Sequence, residues 1–423
     1  MQNYRPARFL GFSLLSTVLA LSACGDDDDP GTNDERTQFV DPASEQLFLV
    51  GYSTRDVDGN ATAFANAVSS LDQNQEVDQA RALELNGFSV FATNPFESDT
   101  FFVGRETRAV VERYQIDADG FLELTGEIAF AGGTASRTQS PWVFESSTRA
   151  YFLDAEGLNV IVWNPSAMEI DQVIDLDVLN PPEGMRAVPF QLIRDENRLL
   201  VSSGYFRNDQ RTHAPIGRLA IVDLETFEVT VAEQTRCGYL LASVLAPDGF
   251  HYFASHPNQS TLTAIEGAGD PASPHCLVRF ESGGSAWDES FFVDLNALVG
   301  RPLAAVVPRG GSSVYATVSP EGPSAFNGDN RLDKRRAPVW EIYTFDLTDP
   351  AGTIAPANNT LTTSDQIGAF VTEVDDANGD RIETRFIPLG GATDSTFFDV
   401  SNPDSWAQQI TVPGTARSLG RLR

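Results

Sequence analysis

The 423-residue chain lacks the short motifs that identify many enzymes and metal proteins. No G-x-S-x-G nucleophile elbow, P-loop or dinucleotide-binding fingerprint is present. Histidine is rare, and no two histidines have the HExxH or HxH spacing that would place both on one metal ion. We expect ordinary turn or edge histidines at all four positions, which are His213, His251, His256 and His275. A Ser-His-Asp triad needs no local motif, so its absence does not follow.

Positive charge is also scarce. Lysine and arginine together number 29, against 59 aspartates and glutamates, and Lys334 is the only lysine. The formal net charge is −30 at pH 7. The summed field of so acidic a chain repels polyanions, which argues against a nucleic-acid partner.

Long apolar runs are missing except near the N-terminus. Residues 9–21 form an apolar run of about 13 residues, short of the roughly 20 that span a bilayer. Arg5 and Arg8 precede it and small residues follow it, as in a secretory signal. Residues 21–24, Leu-Ser-Ala-Cys, resemble the lipobox of bacterial lipoproteins. The resemblance implies cleavage after residue 23 and a lipid on Cys24; an ordinary signal peptide or an uncleaved anchor is the alternative.

Three segments follow from this assignment. Residues 1–23 are the signal peptide, and residues 24–36 are predicted to be a disordered acidic tether, because low hydrophobicity and like charge oppose folding. Residues 37–423 are the folded domain. Gly25 follows the lipidated cysteine, which by resemblance to enterobacterial sorting favours the outer membrane, facing the periplasm or the surface. The membrane is then a partner through the lipid.

The two remaining cysteines predict a disulfide. If Cys24 carries lipid, Cys237 and Cys276 form an even pair in an oxidising compartment. Two unpaired buried thiols are the alternative.

Residues beyond 36 read as many short strands, rich in Val, Ile, Phe, Tyr and Thr and broken by Gly, Pro, Asn and Asp. The only helix-like segment is a weak one over Gln73–Leu85. A short sequence pattern, an apolar strand that ends in a polar or charged residue, recurs about every 56 residues, which is the spacing of propeller blades. We interpret each occurrence as the third strand of a blade. The occurrences are residues 114–117, 161–164, 220–223, 276–279, 343–346 and 396–399.

This period predicts an all-β fold, a β-propeller of seven blades, with six or eight as alternatives and two β-sandwich domains as the competing architecture. Leu47–Val50 reads as a second strand without an inner strand of its own. A C-terminal inner strand beginning near Gly414 would pair with the N-terminal strands and close the ring, which removes free sheet edges.

Two basic loops stand out in so acidic a chain, each between a second and a third strand. They predict an anion or ligand site on one face, because arginine forks suit carboxylates, phosphates and catecholates. Local salt bridges with Asp209, Asp329 and Asp333 are the alternative. The candidate residues are Arg207, Arg211 and Arg218 in the first region and Arg331, Arg335 and Arg336, beside Lys334, in the second.

One acidic loop offers a calcium site, the only cofactor that the sequence suggests. Its candidate ligands are Asp376, Asn378, Asp380 and Glu383. Position twelve of such a loop, which should hold an acid, is Ile387, so a plain turn is the alternative. Residues 56–60 have similar spacing and the same two interpretations.

The lipobox, residues 101–104 leading to 111–114, and the end-closing blade together resemble bacterial lipoprotein β-propellers of poorly defined function. Among these the chain is similar to lipoproteins encoded beside siderophore and TonB-dependent uptake systems. The resemblance implies a monomeric binding or scaffolding propeller in the cell envelope, in iron–siderophore handling, with an envelope protein or a small anion as partner. It identifies no catalytic residue. The alternative is a lactonase- or lyase-like propeller enzyme with a metal or polar site at the central channel.

Overall fold

Antiparallel pairing of short strands organises the chain from residue 38 to the C-terminus. A computed structural model describes residues 38–56, 60–71, 75–105, 108–130, 142–207, 213–262, 274–327, 329–357, 360–364, 386–390, 393–402 and 405–423. Cys24 and the predicted tether lie outside these residues. Thr37–Arg423 form one compact unit.

The described residues contain 29 strands, numbered in chain order and grouped into seven antiparallel sheets, or blades, apart from one parallel pair. Blade 1 contains β1 (Phe48–Arg55), β2 (Ala61–Val68) and β4 (Leu83–Asn86). Blade 2 contains β5 (Ser89–Thr93), β6 (Thr100–Arg105), β7 (Val110–Ile116) and β8 (Leu122–Ala129). Blade 3 contains β9 (Trp142–Ser146), β10 (Arg149–Asp154), β11 (Asn159–Asn164) and β12 (Glu169–Asp175). Blades 4 and 5 contain β13 (Arg186–Asp195), β14 (Arg198–Phe206), β15 (Gly217–Asp223), β16 (Val229–Gln234); and β17 (Leu240–Leu245), β18 (Phe250–Ser255), β19 (Cys276–Glu281), β20 (Val293–Asp294). Blades 6 and 7 contain β21 (Leu303–Gly310), β22 (Ser313–Val318), β23 (Trp340–Asp346), β24 (Ala355–Pro356), β25 (Thr362–Thr363); and β26 (Phe386–Gly390), β27 (Asp394–Asp399), β28 (Ala407–Pro413). Two further strands, β29 (Thr415–Arg421) and β3 (Gln75–Glu76), complete blades 1 and 7.

Helices are short in the described part of the chain. The α-helices are α1 (Gln259–Leu262), α2 (Leu295–Val299), α3 (Arg331–Arg336) and α4 (Pro350–Thr353), and the 3₁₀ turns are Gln79–Arg81, Asp177–Leu179 and Pro323–Ala325. None of these helices is long enough to cross a membrane. The predicted helix over Gln73–Leu85 is wrong, because the described residues of that segment form β3, a single 3₁₀ turn and the start of β4.

Packing between neighbouring blades explains the apolar second strands. In β10, Ala150 to Leu153 are all fully buried, although successive side chains point to opposite faces of a sheet. Tyr151 packs in a cluster with Leu192 of blade 4, and Phe152 packs in another with Phe102 of blade 2. A strand covered on both faces needs a nearly continuous apolar run. The seven-bladed β-propeller predicted from the period is therefore confirmed, and the two-sandwich alternative is excluded.

The ring closes as predicted, with an addition. Strand β29 is the inner strand of blade 1 and pairs antiparallel with β1, for example Phe48 with Arg421. The N-terminal part of the chain also contributes a strand to blade 7, since β3 pairs parallel with β28 as the outer strand of that blade. The prediction that residues 396–399 form a third strand is wrong, because they belong to β27, the second strand of that blade.

Strand order fixes which loops share a face. The first strands are innermost, since β13 contacts β9 and β17, and β17 contacts β21. In an antiparallel blade, the loops from second to third strands and the connections into each first strand lie at one end. We call this end the upper face; it includes the described residues of loops 207–216, 256–275 and 319–339 and the connection 235–239. The turns between first and second strands, such as 195–198, lie on the lower face.

Candidate functional site

Several predicted site residues fall outside the described residues. They are Cys24, Arg211, and the candidate calcium ligands Asp376, Asn378, Asp380 and Glu383. In the other acidic loop, the Asp56 carboxylate accepts hydrogen bonds from the backbone N–H and side chain of Asn60, at 2.8 and 2.9 Å, as in a hairpin turn. The described part of the chain contains no group of three or more His, Cys, Asp or Glu residues arranged to hold a metal ion.

In the first basic region the structure describes Arg207 and Arg218. Arg207 is exposed at the end of β14. Arg218 donates to Glu233 of the adjacent strand at 2.9 Å and to the carbonyl of Asn180 at 2.9 Å. Its guanidinium also lies over the Tyr205 ring. Arg218 therefore links blade 4 to the connection that precedes it.

The second basic region is divided by helix α3. Arg331 and Arg335, four residues apart on one helix face, are buried, with 6% and 5% exposure. Arg336, the next residue, is exposed. Of the acids in the salt-bridge alternative, Asp209 lies outside the described residues, and Asp329 and Asp333 form no ion pair with a described residue. Lys334 forms a local ion pair with Glu321 instead. Two arginines on one short helix thus point into the protein, while acids on the same loop stay outside.

A group of rings on the upper face lies within electrostatic reach of these arginines. We call it the Tyr239 cluster. The Tyr239 ring is 4.5 Å from the His213 ring and stacks on the His256 ring at 4.6 Å. The remaining members are Phe190, 5.3 Å from Tyr239 and 5.6 Å from His256, and Phe206, 5.8 Å from Tyr239. His213 and Tyr239 are buried, whereas His256 and Phe206 are partly exposed.

Blades 4 and 5 bring this cluster together. His213 comes from loop 207–216, His256 from loop 256–275, and Tyr239 immediately precedes β17. The strand order placed these loops on one face, but sequence reasoning missed Tyr239 and treated the histidines as isolated turn residues. Contacts between side chains of different loops on the upper face produce no regular spacing in the sequence.

The electrostatic environment of the cluster is cationic. Burial raises the pKa of Tyr239 well above its ordinary value, and Arg335 and Arg331 oppose that rise. Among the described residues, no acid acts on Tyr239. Burial lowers the pKa of His256 well below its ordinary value, and Arg335, together with His213, His275 and Arg331, lowers it further. His256 is therefore neutral at neutral pH. The positive charge that acts on the cluster comes from the arginines.

Gly204 on β14 makes room for Tyr239. A Cβ atom on Gly204 would lie 2.4 Å from both the Cα and Cδ2 atoms of Tyr239. We expect Gly204→Ala to push Tyr239 away from its neighbours and to lower the free energy of unfolding by about 1–3 kcal/mol. Near-ultraviolet circular dichroism would report the altered tyrosine environment. Gly322→Ala is the control, since a Cβ there meets nothing within 4 Å; equal spectra and stabilities for the two variants would contradict the prediction.

The disulfide borders the same cluster. Cys237 and Cys276 are bonded, with their Cα atoms 5.7 Å apart. Cys237 lies two residues before Tyr239, and Cys276 directly follows His275. Both cysteines are fully buried. The bond therefore fixes the connection between blades 4 and 5 to the third strand of blade 5, at the level of the cluster.

Ser255 and His275 form a buried pair that joins blades. Ser255 accepts from the Cys276 N–H at 3.0 Å. Its hydroxyl donates to His275 Nδ1 at 2.7 Å, because the other ring nitrogen faces a carbonyl oxygen, which only accepts. His275 Nε2 then carries the proton and donates to the carbonyl of Ala304 in blade 6, at 2.8 Å. Burial lowers the pKa of His275 to about 4, against the opposing hydrogen bond to Ala304. The neutral ring connects the two blades and is closed to solvent.

A second histidine network lies on the lower face. Asp195 accepts from His251 Nε2 at 3.1 Å, from the Ser282 hydroxyl at 2.5 Å and from the Gly283 N–H at 3.2 Å. Arg198 also donates to it. In a Ser-His-Asp triad the histidine lies between serine and aspartate, whereas here Asp195 lies between the other two. This arrangement joins blade 4 to blade 5 and does not activate the serine.

Comparisons with known proteins show the fold. No protein-family model matches the chain, and no curated protein matches its sequence. Among solved structures, it is similar to a Bacteroides uniformis protein whose proposed activity is that of a 6-phosphogluconolactonase, with 11% identity, a TM-score of 0.50, and coverage of 89% of this chain and 99% of that one. A Lactobacillus plantarum protein follows with 9% identity, a TM-score of 0.49 and coverage of 89% and 99%. Apo AztD from Citrobacter koseri has 11% identity, a TM-score of 0.40 and coverage of 89% and 97%. At this identity the similarity establishes the propeller fold alone.

Proposed function

We propose that the protein is a lipid-anchored binding propeller of the bacterial cell envelope, and that it binds a small anion at the Tyr239 cluster. The observation that carries the binding site is the inward burial of Arg331 and Arg335 beside Tyr239 and His256. The positive charge of both arginines acts on Tyr239 and His256. An anion bound at the cluster would be attracted by that charge, because charge-assisted hydrogen bonds are the strong ones.

The chemistry of the ring wall suits the same kind of ligand. Because its pKa is lowered, neutral His256 adds no positive charge to that of the arginines. His256 and Phe206 are partly exposed on the upper face. Arginine forks bind carboxylate and phosphate groups through paired hydrogen bonds. The proposed site is therefore a mixed cationic and aromatic surface on the upper face.

The cellular part of the proposal comes from the N-terminal sequence. A lipid on Cys24 and an acidic tether over residues 24–36 would hold the propeller near the outer membrane, facing either the periplasm or the surface. The resemblance to lipoproteins of siderophore and TonB-dependent uptake systems makes iron–siderophore handling the role we propose for the bound anion. Radiolabelled palmitate incorporation that is lost in Cys24→Ala tests the anchor; labelling that persists in the variant contradicts it.

Replacing Arg335 tests the binding site. We expect Arg335→Ala to weaken binding on the order of 10- to 100-fold, because a charge-assisted hydrogen bond contributes about 1.5–3 kcal/mol. Arg336→Ala removes the same charge from the exposed side of α3 and should leave affinity within about twofold. Isothermal titration calorimetry of the full chain would measure both, after a thermal-shift screen of ferric siderophores, aromatic carboxylates and inorganic phosphate.

Two results would overturn this proposal. Equal loss in the Arg335→Ala and Arg336→Ala variants would place the effect in long-range charge, not in the cluster. No thermal shift with any anion at millimolar concentration would favour the scaffolding role, because a ligand that binds only the folded state must stabilise it. Turnover of lactones by the wild-type chain would instead support the lactonase-like alternative, a sugar-phosphate lactone being the first to try.

A further inference from the structure

Strand β12, the outer strand of blade 3, has a free hydrogen-bonding edge. One side of β12 pairs with β11, and no described strand pairs with its other side. Residues Glu169 to Val173 are five consecutive exposed residues, and Ile174 is the one buried residue of the strand. The N–H and C=O groups along a free edge can pair with an extended segment of another chain. Most of the length of β12 is therefore open to such pairing.

The other outer strands offer less of such an edge. Strands β3, β20, β24 and β25 have two residues each, and β4 has four. The eight-residue β8 is partly covered, because its Thr125 carbonyl accepts from Arg113 at 3.4 Å. Met168 of blade 3 also packs against β8, since a Cβ atom on Gly126 would lie 2.5 Å from its Cγ atom. The six-residue β16 has two buried residues. Of the outer strands that the structure describes, β12 is the one that is both long and exposed.

A register shift in β12 places its two exposed apolar residues on one face. Ile170 pairs with Trp163 and Val173 pairs with Ile161, with the shift between them. Cross-strand partners lie on the same face of a sheet, and Trp163 and Ile161 both belong to the core cluster shared with blade 2. Ile170 is 36% exposed and Val173 is 51% exposed. The free edge therefore has an apolar stripe, which a strand added beside it would cover.

The charges of β12 specify the charge of the segment that fits it. Glu169, Asp171 and Asp175 are exposed, and the strand has no basic residue. Like charges opposite each other destabilise a strand pair, whereas opposite charges stabilise it. A second copy of the chain would bring the same acids against these three, so it is a poor occupant. A segment in which lysine or arginine alternates with valine, isoleucine or threonine complements both the acids and the apolar stripe.

We propose that the free edge of β12 binds an extended basic segment of a partner protein, which adds to the four strands of blade 3 as a fifth. Main-chain hydrogen bonds would hold such a segment, and its alternate side chains would select it. This inference goes beyond anion binding on the upper face and does not depend on it.

Hydrogen–deuterium exchange of the full chain with a basic probe peptide tests this proposal. The probe is a capped peptide of about ten residues that alternates lysine with valine, and its control alternates glutamate with valine. At about ten times its dissociation constant, the probe should slow exchange of the edge amides of β12 about tenfold, because an occupied edge exchanges only when the probe leaves. The glutamate peptide should leave this exchange unchanged, since its charges repel the acids of β12.

The matched variants Val173→Lys and Val231→Lys separate the edge of β12 from general charge attraction. Both replace an exposed valine of an outer strand, 51% and 43% exposed, and both change the net charge equally. Val173→Lys should weaken probe binding at least about tenfold, since it removes part of the apolar stripe and repels a basic segment. Val231→Lys, on β16, should leave the affinity within about twofold, because salt screens exposed charges on another blade. Unchanged melting temperatures show that both variants are folded; if Val173→Lys melts lower, Asp171→Lys makes the same test.

Slower exchange confined to β12, lost in Val173→Lys and kept in Val231→Lys, supports the proposal. Equal slowing along β8, β12 and β16, or equal loss of affinity in the two variants, would show general attraction to an acidic protein and overturn it. No slowing at β12 with the probe at millimolar concentration would overturn it as well. If exchange at β12 instead slows as the concentration of the chain alone rises, a second copy occupies the edge and the basic partner is wrong. None of these results bears on the anion site of the upper face.

Discussion

Asp195→Ala lowers the free energy of unfolding by about 3–5 kcal/mol, because it removes the shared acceptor of a buried charged network. Asp195 is 2% exposed and His251 is 1% exposed, so water does not replace the lost contacts. Arg198, mostly covered, loses its carboxylate partner. Urea denaturation of the full chain measures the loss as a lower midpoint. Asp171→Ala, on the exposed strand β12, is the control and should change stability by no more than about 0.5 kcal/mol.

The same network predicts how stability depends on pH. Burial alone would raise the pKa of Asp195, but hydrogen bonds from His251, Ser282, Arg198 and the Gly283 backbone outweigh it and hold the pKa far below the ordinary 3.8. A lowered native pKa means that stabilisation is complete above the unfolded pKa and is lost as the pH falls below it. Wild type should therefore lose stability below about pH 4. Asp195→Ala should show a flatter acid limb, and parallel limbs would contradict this assignment.

Blade architecture could be predicted from sequence because each blade repeats one local pattern. Second strands such as β10 and β14 are covered on both faces by neighbouring blades, so they appear as continuous apolar runs that are easy to recognise. Ring closure was also predictable, since a second strand at β1 without an inner partner required one from the C-terminus. These features are local, or follow from counting a period.

Other features depend on contacts that leave no local pattern. Strand β3 has two residues, too few for a period, and its pairing with β28 depends on where the ring brings the two ends together. Residues 396–399 resemble the other third-strand phrases because second and third strands are both buried and often end in aspartate. Strand order alone therefore decides between them.

The candidate site illustrates the same division. The sequence identified loop 319–339 as basic and placed it with loop 207–216 on one face, but it could not say which arginines turn inward. Burial of Arg335 and exposure of Arg336 follow from the rotation of a helix of only six residues. Tyr239 could not be predicted from the sequence for a different reason. It is an uncharged residue before β17 with no characteristic spacing to the other members of the cluster, and the space that Gly204 of β14 leaves for it is a contact between distant parts of the chain.

The double variant Cys237→Ser/Cys276→Ser tests whether the disulfide supports the Tyr239 cluster as well as the fold. A crosslink over a sequence separation of 39 restricts the unfolded chain, and its loss should lower stability by about 4 kcal/mol in the chain-entropy model. Thermal denaturation with and without a reductant measures this; reductant should destabilise wild type only. Because the bond adjoins both Tyr239 and His275, the folded variant should also bind the anion more weakly, at least about threefold, since a preorganised site binds with less ordering cost.

Full stability loss with unchanged affinity would show that the connection between blades 4 and 5 is held by packing alone at the cluster. Equal stability in reducing and oxidising buffer would contradict the disulfide itself. Stability and affinity falling together would show that the covalent link that joins Cys237 to the third strand of blade 5 also positions Tyr239 at the proposed anion site.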